Sequence, residues 1–121
     1  MDFGVTSVDL GDGVAAVGVT GEVDLYTAPR LKQALVKTIE GGSRKVLVDL
    51  SNATFIDSTT LGVLMGAVKR LRPAGGELAI ACNDANIRRI FEITLLDRIF
   101  AIYGTSDEAI RYLRNGGTSS P

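Results

Sequence analysis

Residues 46–68, VLVDLSNATFIDSTTLGVLMGAV, decide the fold, because an apolar strand runs through a short polar turn straight into an amphipathic helix. Val46, Leu47 and Val48 in succession imply burial on both faces, as in the middle of a parallel sheet. From Ser58 onward the apolar residues Leu61, Leu64, Met65, Val68 and Leu71 recur at helical spacing. The turn between them contains Asp57-Ser58-Thr59-Thr60-Leu61-Gly62. Ser58 stands where the chain changes from extended to helical, and serine is among the best helix N-caps. Its hydroxyl is therefore expected near the surface, beside a carboxylate and at the positive end of a helix.

Upstream, residues 5–10 form a short extended run ending in Gly11-Asp12-Gly13, which is hairpin chemistry because these residues tolerate positive φ. Residues 14–20 return as a second strand, with Gly18 marking a bulge or a close backbone approach. Gly21-Glu22-Val23-Asp24 follows at the end of that strand. Thr27 is the expected N-cap of the first helix, with Pro29 in its first turn and Ala28, Leu31, Ala34, Leu35, Thr38 and Ile39 on one face. Gly41-Gly42 stops it.

Downstream of the central stretch, Pro73-Ala74-Gly75-Gly76 ends the second helix and residues 77–81 give a fourth strand. Asn83 or Asp84 caps a third helix that buries Ile87, Ile90 and Phe91, and residues 100–103 form a fifth strand. Thr105-Ser106-Asp107-Glu108 is a capping box for a last helix over about residues 106–114. The order β-β-α-β-α-β-α-β-α predicts an α/β fold: a mixed, mostly parallel sheet of about five strands with an N-terminal hairpin and about four helices. One domain over residues 1–114 is expected, with residues 115–121, NGGTSSP, as a disordered tail.

Composition narrows the chemistry. The 121 residues are 45% hydrophobic and 22% charged, enough for a normal core in one domain. With 13 basic and 14 acidic residues the net charge is −1, so no electrostatic footprint for nucleic acid is present. The longest mainly apolar run falls far short of the roughly 18 residues a membrane span needs. No Lys or Arg precedes Arg30, unlike a signal peptide, so a cytoplasmic location is expected. Cys82 is the single cysteine and there is no histidine, which argues against an internal disulfide and a Cys/His metal site. The missing histidine also removes the usual base for a serine nucleophile, and the four lysines sit on helix faces or ends. No enzyme activity, metal or cofactor is expected. A phosphoaspartate receiver needs a lysine near the last strand and a Walker loop needs G-x-x-x-x-G-K-[ST]; neither is present.

Asp24 and Asp57 read either as solvated turn carboxylates or as acidic groups flanking a contact surface, and spacing alone does not choose. Thr59 and Thr60 read as first-turn residues. Arg88, Arg89, Lys69, Arg70 and Arg72 read as exposed helix faces.

The sequence resembles the STAS domain of bacterial anti-sigma factor antagonists. The resemblance is carried by Gly21-Glu22-Val23-Asp24, by Val46-Leu47-Val48-Asp49-Leu50, and above all by Phe55-Ile56-Asp57-Ser58-Thr59-Thr60-Leu61-Gly62-Val63-Leu64. Gly75-Gly76 and the region around Ile90 to Ile99 also match, so nearly the whole chain is covered. It implies a stress-response regulator working by partner switching: the unphosphorylated antagonist binds an anti-sigma factor that is also a serine kinase, and so releases a sigma factor. The kinase, using ATP and magnesium, phosphorylates the serine of the Asp-Ser pair, the partners separate, and a serine phosphatase restores the antagonist. The implied phosphoacceptor is Ser58, with Asp57 beside it and Asp24 on the neighbouring loop; Glu22, Thr27, Thr59 and Thr60 complete the implied contact surface. Thr60 departs from the glycine usual in the family and is expected to place a side chain beside the acceptor. The alternative is a STAS accessory subunit of a membrane transporter or sensory assembly, in which Ser58 only caps and packs.

Overall fold

The computed structural model describes residues 3–116. Its elements run β1 (Gly4–Gly11), β2 (Val14–Val23), α1 (Ala28–Glu40), β3 (Lys45–Ile56), α2 (Ser58–Leu71), β4 (Glu77–Ala81), α3 (Ala85–Ile93), β5 (Ala101–Tyr103) and α4 (Ser106–Arg114). The strands form one sheet in the order β1-β2-β3-β4-β5, with β1 antiparallel to β2 and every later pair parallel. The turn between β1 and β2 has φ of 84°, 57° and 78° at Gly11, Asp12 and Gly13, the left-handed backbone its composition predicts.

Each parallel connection advances by one strand in the same direction, and right-handed crossovers then put α1, α2 and α3 on one face of the sheet. The core follows from that. Val46, Val48 and Leu50 point toward Leu31, Leu35, Leu64 and Phe91 of these helices, while Leu47, between them, points to the other face and packs with Ala109 and Leu113 of α4. Strand alternation thus explains why three consecutive apolar residues are needed at the start of β3. Phe91 and Phe100 close the α3 side edge to face, with centroids 5.8 Å apart.

The two central strands are longer than the sequence suggests. Residues 51–57 read as the connection from strand to helix, yet β3 runs on to Ile56 and pairs with β2 through Thr20–Asn52, Gly21–Ala53, Glu22–Phe55 and Val23–Ile56. The register shifts between Gly18 and Thr20 and again between Gly21 and Glu22, with β3 carrying the extra residues. Those bulges break the alternation that would have revealed a strand. Gly18 also meets its expectation of close approach, since a Cβ there would lie 3.1 Å from the Thr6 hydroxyl.

Two caps differ from expectation. Thr27 has helical backbone angles and makes no capping bond. Asp24 opens α1 instead, its Oδ1 accepting from the N–H groups of Tyr26 (2.9 Å) and Thr27 (3.0 Å), while the Ala28 N–H donates to its carbonyl oxygen (2.8 Å). At α2 the cap is Asp57, not Ser58. Asp84 and Thr105 cap α3 and α4, the latter through a 3.2 Å bond from the Glu108 N–H. Of the C-terminal residues 115–121, Asn115 and Gly116 form the turn that closes α4 and the rest lie outside the described residues.

Candidate partner-binding site

Val23 and Ile56 are register partners at the carboxyl ends of adjacent parallel strands. The next residue in each chain segment is an aspartate, so the pairing brings Asp24 and Asp57 to the same end of the sheet, where open α/β folds place their ligands. Thr60 fastens the arrangement. Its hydroxyl donates to the Val23 carbonyl oxygen at 3.2 Å, tying the first turn of α2 to the end of β2. Thr60 is 0% exposed, so it faces away from any partner; the expected side chain beside the acceptor is turned into the core.

Asp57 has extended backbone, and its Oδ1 accepts from the N–H groups of Thr59 (3.0 Å) and Thr60 (3.3 Å). Ser58 therefore starts the helix without capping it. It is exposed, and its hydroxyl engages no other described residue. Thr59, half-buried, faces the seam between α1 and α2.

Across the strand ends, Thr27 holds the β2–α1 loop. Its hydroxyl donates to the Glu22 carbonyl (3.1 Å) and to Asp24 Oδ1 (3.2 Å), and accepts from the Asp24 N–H (2.9 Å). The Thr27 backbone N–H, foremost among several donors, holds the Asp24 carboxyl below its ordinary value of 3.8 against a partial loss of hydration. Glu22 pairs with Phe55, and by alternation both lie on the sheet face opposite Val23 and Ile56. Of the sequence-derived site residues, Asp24, Asp57, Ser58 and Thr59 gather at one end, Thr27 supports them, Glu22 flanks them and Thr60 is internal.

Three apolar side chains at this end escaped the sequence reading: Leu25 is 63% exposed, Tyr26 85% and Phe55 46%. The available signal was their position for two of them, since Leu25 and Tyr26 precede the helical stripe of α1; Phe55 follows a bulge that the sequence does not announce. Exposed large apolar groups rimmed by carboxylates are a common composition for a protein contact surface. Elsewhere, Cys82 is buried and its thiol is pushed up by loss of hydration. Among the described residues, no group of His, Cys, Asp and Glu is placed to hold a metal, and no helix is long and apolar enough to cross a membrane.

The site thus consists of an exposed serine at the head of a carboxylate-capped helix, with exposed apolar groups at the same end of the sheet. The chain belongs to the STAS domain family, whose profile matches residues 7–109. It is 40% identical over 93 residues to the anti-sigma-B factor antagonist of Staphylococcus aureus, covering 76% of this chain and 86% of that one. Among solved structures, an anti-sigma factor antagonist from Mycobacterium paratuberculosis is 31% identical with a TM-score of 0.85, covering 93% of this chain and 95% of that one. The Bacillus cell fate determinant SpoIIAA in its phosphorylated form shares the fold at 17% identity, with a TM-score of 0.72 and coverage of 92% and 100%.

Proposed function

We propose that this chain is an anti-sigma factor antagonist whose unphosphorylated form binds an anti-sigma factor with serine kinase activity, and that phosphorylation of Ser58 switches the binding off. The observation that carries the reading is the division of labour at α2: Asp57 caps the helix, so the exposed Ser58 hydroxyl has no structural duty and is open to modification. The names of its relatives point to the same class of partner.

The effect of the phosphate follows from charge. It adds about −1.5 to −2 charges. The N–H groups of Thr59 and Thr60, which a phosphoryl group at a helix start would seek, are already held by Asp57. The new charge therefore stays at the surface, adding to Asp24 and Asp57, where a partner must desolvate it. A penalty of about 1.4 kcal/mol weakens binding tenfold, so a few kcal/mol is enough to separate the partners. A serine phosphatase then resets the switch, and the cycle belongs in the cytoplasm, where sigma factors act.

Incubation with the cognate kinase, magnesium and ATP, followed by mass spectrometry, is expected to find one phosphate, on Ser58, and none in Ser58→Ala. Phosphate on another residue with Ser58 bare would contradict the assignment. Stable co-purification with a transporter or sensory assembly, again with Ser58 bare, would favour the accessory-subunit reading.

A further inference from the structure

A groove of about 460 Å³ runs along the seam of α1 and α2, from Leu25 and Thr59 at the helix starts to Ile39 and Arg70 near their ends. Its volume falls within the roughly 300–1,000 Å³ usual for small-molecule sites. The walls are apolar, built from Leu35 and Val36 on one side and Val63 and Ala67 on the other.

Two glycines keep it open. Gly62 and Gly66 stand one turn apart inside α2 and both line the groove. A helix-interior glycine is less stable than alanine, and the common compensation is a close approach by another chain segment. Neither glycine has one, because a Cβ at either position meets nothing within 4 Å. Packing gives no reason for them; the space they leave does.

The rim is basic. Lys32 and Arg70 border both the groove and the adjoining hollow, where Lys37 adds a third cation against one carboxylate, Glu40. Neither Lys32 nor Arg70 makes an ion pair or hydrogen bond with another described residue. A single alkyl chain suits its apolar walls and its volume, and the basic rim selects an anionic end.

We propose that the α1–α2 groove binds an anionic amphiphile, an acyl chain ending in a carboxylate, with the chain lying over Gly62 and Gly66 and the head group between Lys32 and Arg70. The site does not use Ser58 itself, although Leu25 and Thr59 carry its mouth into that surface.

Dodecanoate, kept below its micellar concentration, is titrated into the labelled full chain and followed by amide chemical shifts, with dodecyltrimethylammonium as the cationic counterpart. Saturable shifts confined to α1 and α2 are expected, at least tenfold weaker binding of the cation, and at least threefold loss of dodecanoate affinity in Arg70→Gln. Gly66→Leu is expected to abolish binding. Should that variant not fold, Gly62→Ala and Gly66→Ala are each expected to raise the melting temperature while weakening dodecanoate, a combination that general destabilisation does not give. Equal binding of both amphiphiles, undiminished binding in the glycine variants, or absence of saturable shifts would overturn the proposal. So would a concentration-dependent dimer that Gly66→Leu dissociates, which would give the groove to a second copy.

Discussion

Asp57 and Ser58 are adjacent and both able to cap α2, and the geometry that separates their duties also explains Thr60. The cap carboxylate takes the Thr59 and Thr60 N–H groups, Ser58 is left at the surface, and the Thr60 side chain drops inward to bond Val23. Thr60→Val keeps the volume and removes the donor, so the tie from α2 to the Val23 carbonyl is lost. A loss of about 0.5–1.5 kcal/mol in urea unfolding is expected, with no change in partner affinity measured on the folded protein. Asp24 behaves differently because its role is electrostatic and depends on pH. Its folded pKa is depressed below 3.8 by the bonds it accepts, the Thr27 N–H first. Its contribution to stability is therefore fully present above the unfolded value and is lost as pH falls through the folded one. Asp24→Asn is expected to flatten the acid limb of the stability curve as pH falls below the ordinary carboxylate value, measured by denaturant titration at each pH. An unchanged acid limb would mean that Asp24 does not hold the loop.

At the scale of elements, most helices and their limits were legible because apolar periodicity and end signals agreed. The capping box at Thr105 and the α4 span from Ser106 to Arg114 are the clearest case. The caps of α1 and α2 were misread for a common physical reason. Each helix start carries two competent residues, Asp24 with Thr27 and Asp57 with Ser58, and propensity does not choose between them. The choice is made by where the preceding strand ends, and those ends lie beyond two bulges that the sequence does not announce. The C-terminus of α3 shows the converse, an end the sequence does not advertise. Leu95 follows the last turn with φ of 62° and donates its N–H to Glu92, a position where glycine is usual. Its side chain is 55% exposed, so packing offsets little of the strain. Leu95→Gly is expected to be neutral or to stabilise by up to about 1 kcal/mol in thermal unfolding; a loss above that size would show that the side chain carries a contact worth more than the backbone strain.

For the molecule as a whole, the sheet order follows from three same-sense crossovers, which place the helices α1 to α3 on one face, while α4, which follows the last strand, covers the other through Ala109 and Leu113. Val46-Leu47-Val48 made the central strand legible, and the Asp57-Ser58 turn marked one half of the candidate surface. The exposed Leu25, Tyr26 and Phe55 were not legible, because apolar residues outside a periodic stripe look like packing until the fold shows them uncovered. At that surface Thr60 and Asp57 hold the start of α2 through bonds that do not involve Ser58. Phosphorylation should therefore alter affinity without altering the fold. The most direct test is the dissociation constant for the cognate anti-sigma factor, measured with unmodified and Ser58-phosphorylated chain whose circular dichroism and melting are recorded in parallel. The prediction is a loss of at least a hundredfold in affinity, about 2.8 kcal/mol, with the spectrum unchanged. Equal affinity for both forms, or a loss accompanied by unfolding, would contradict it.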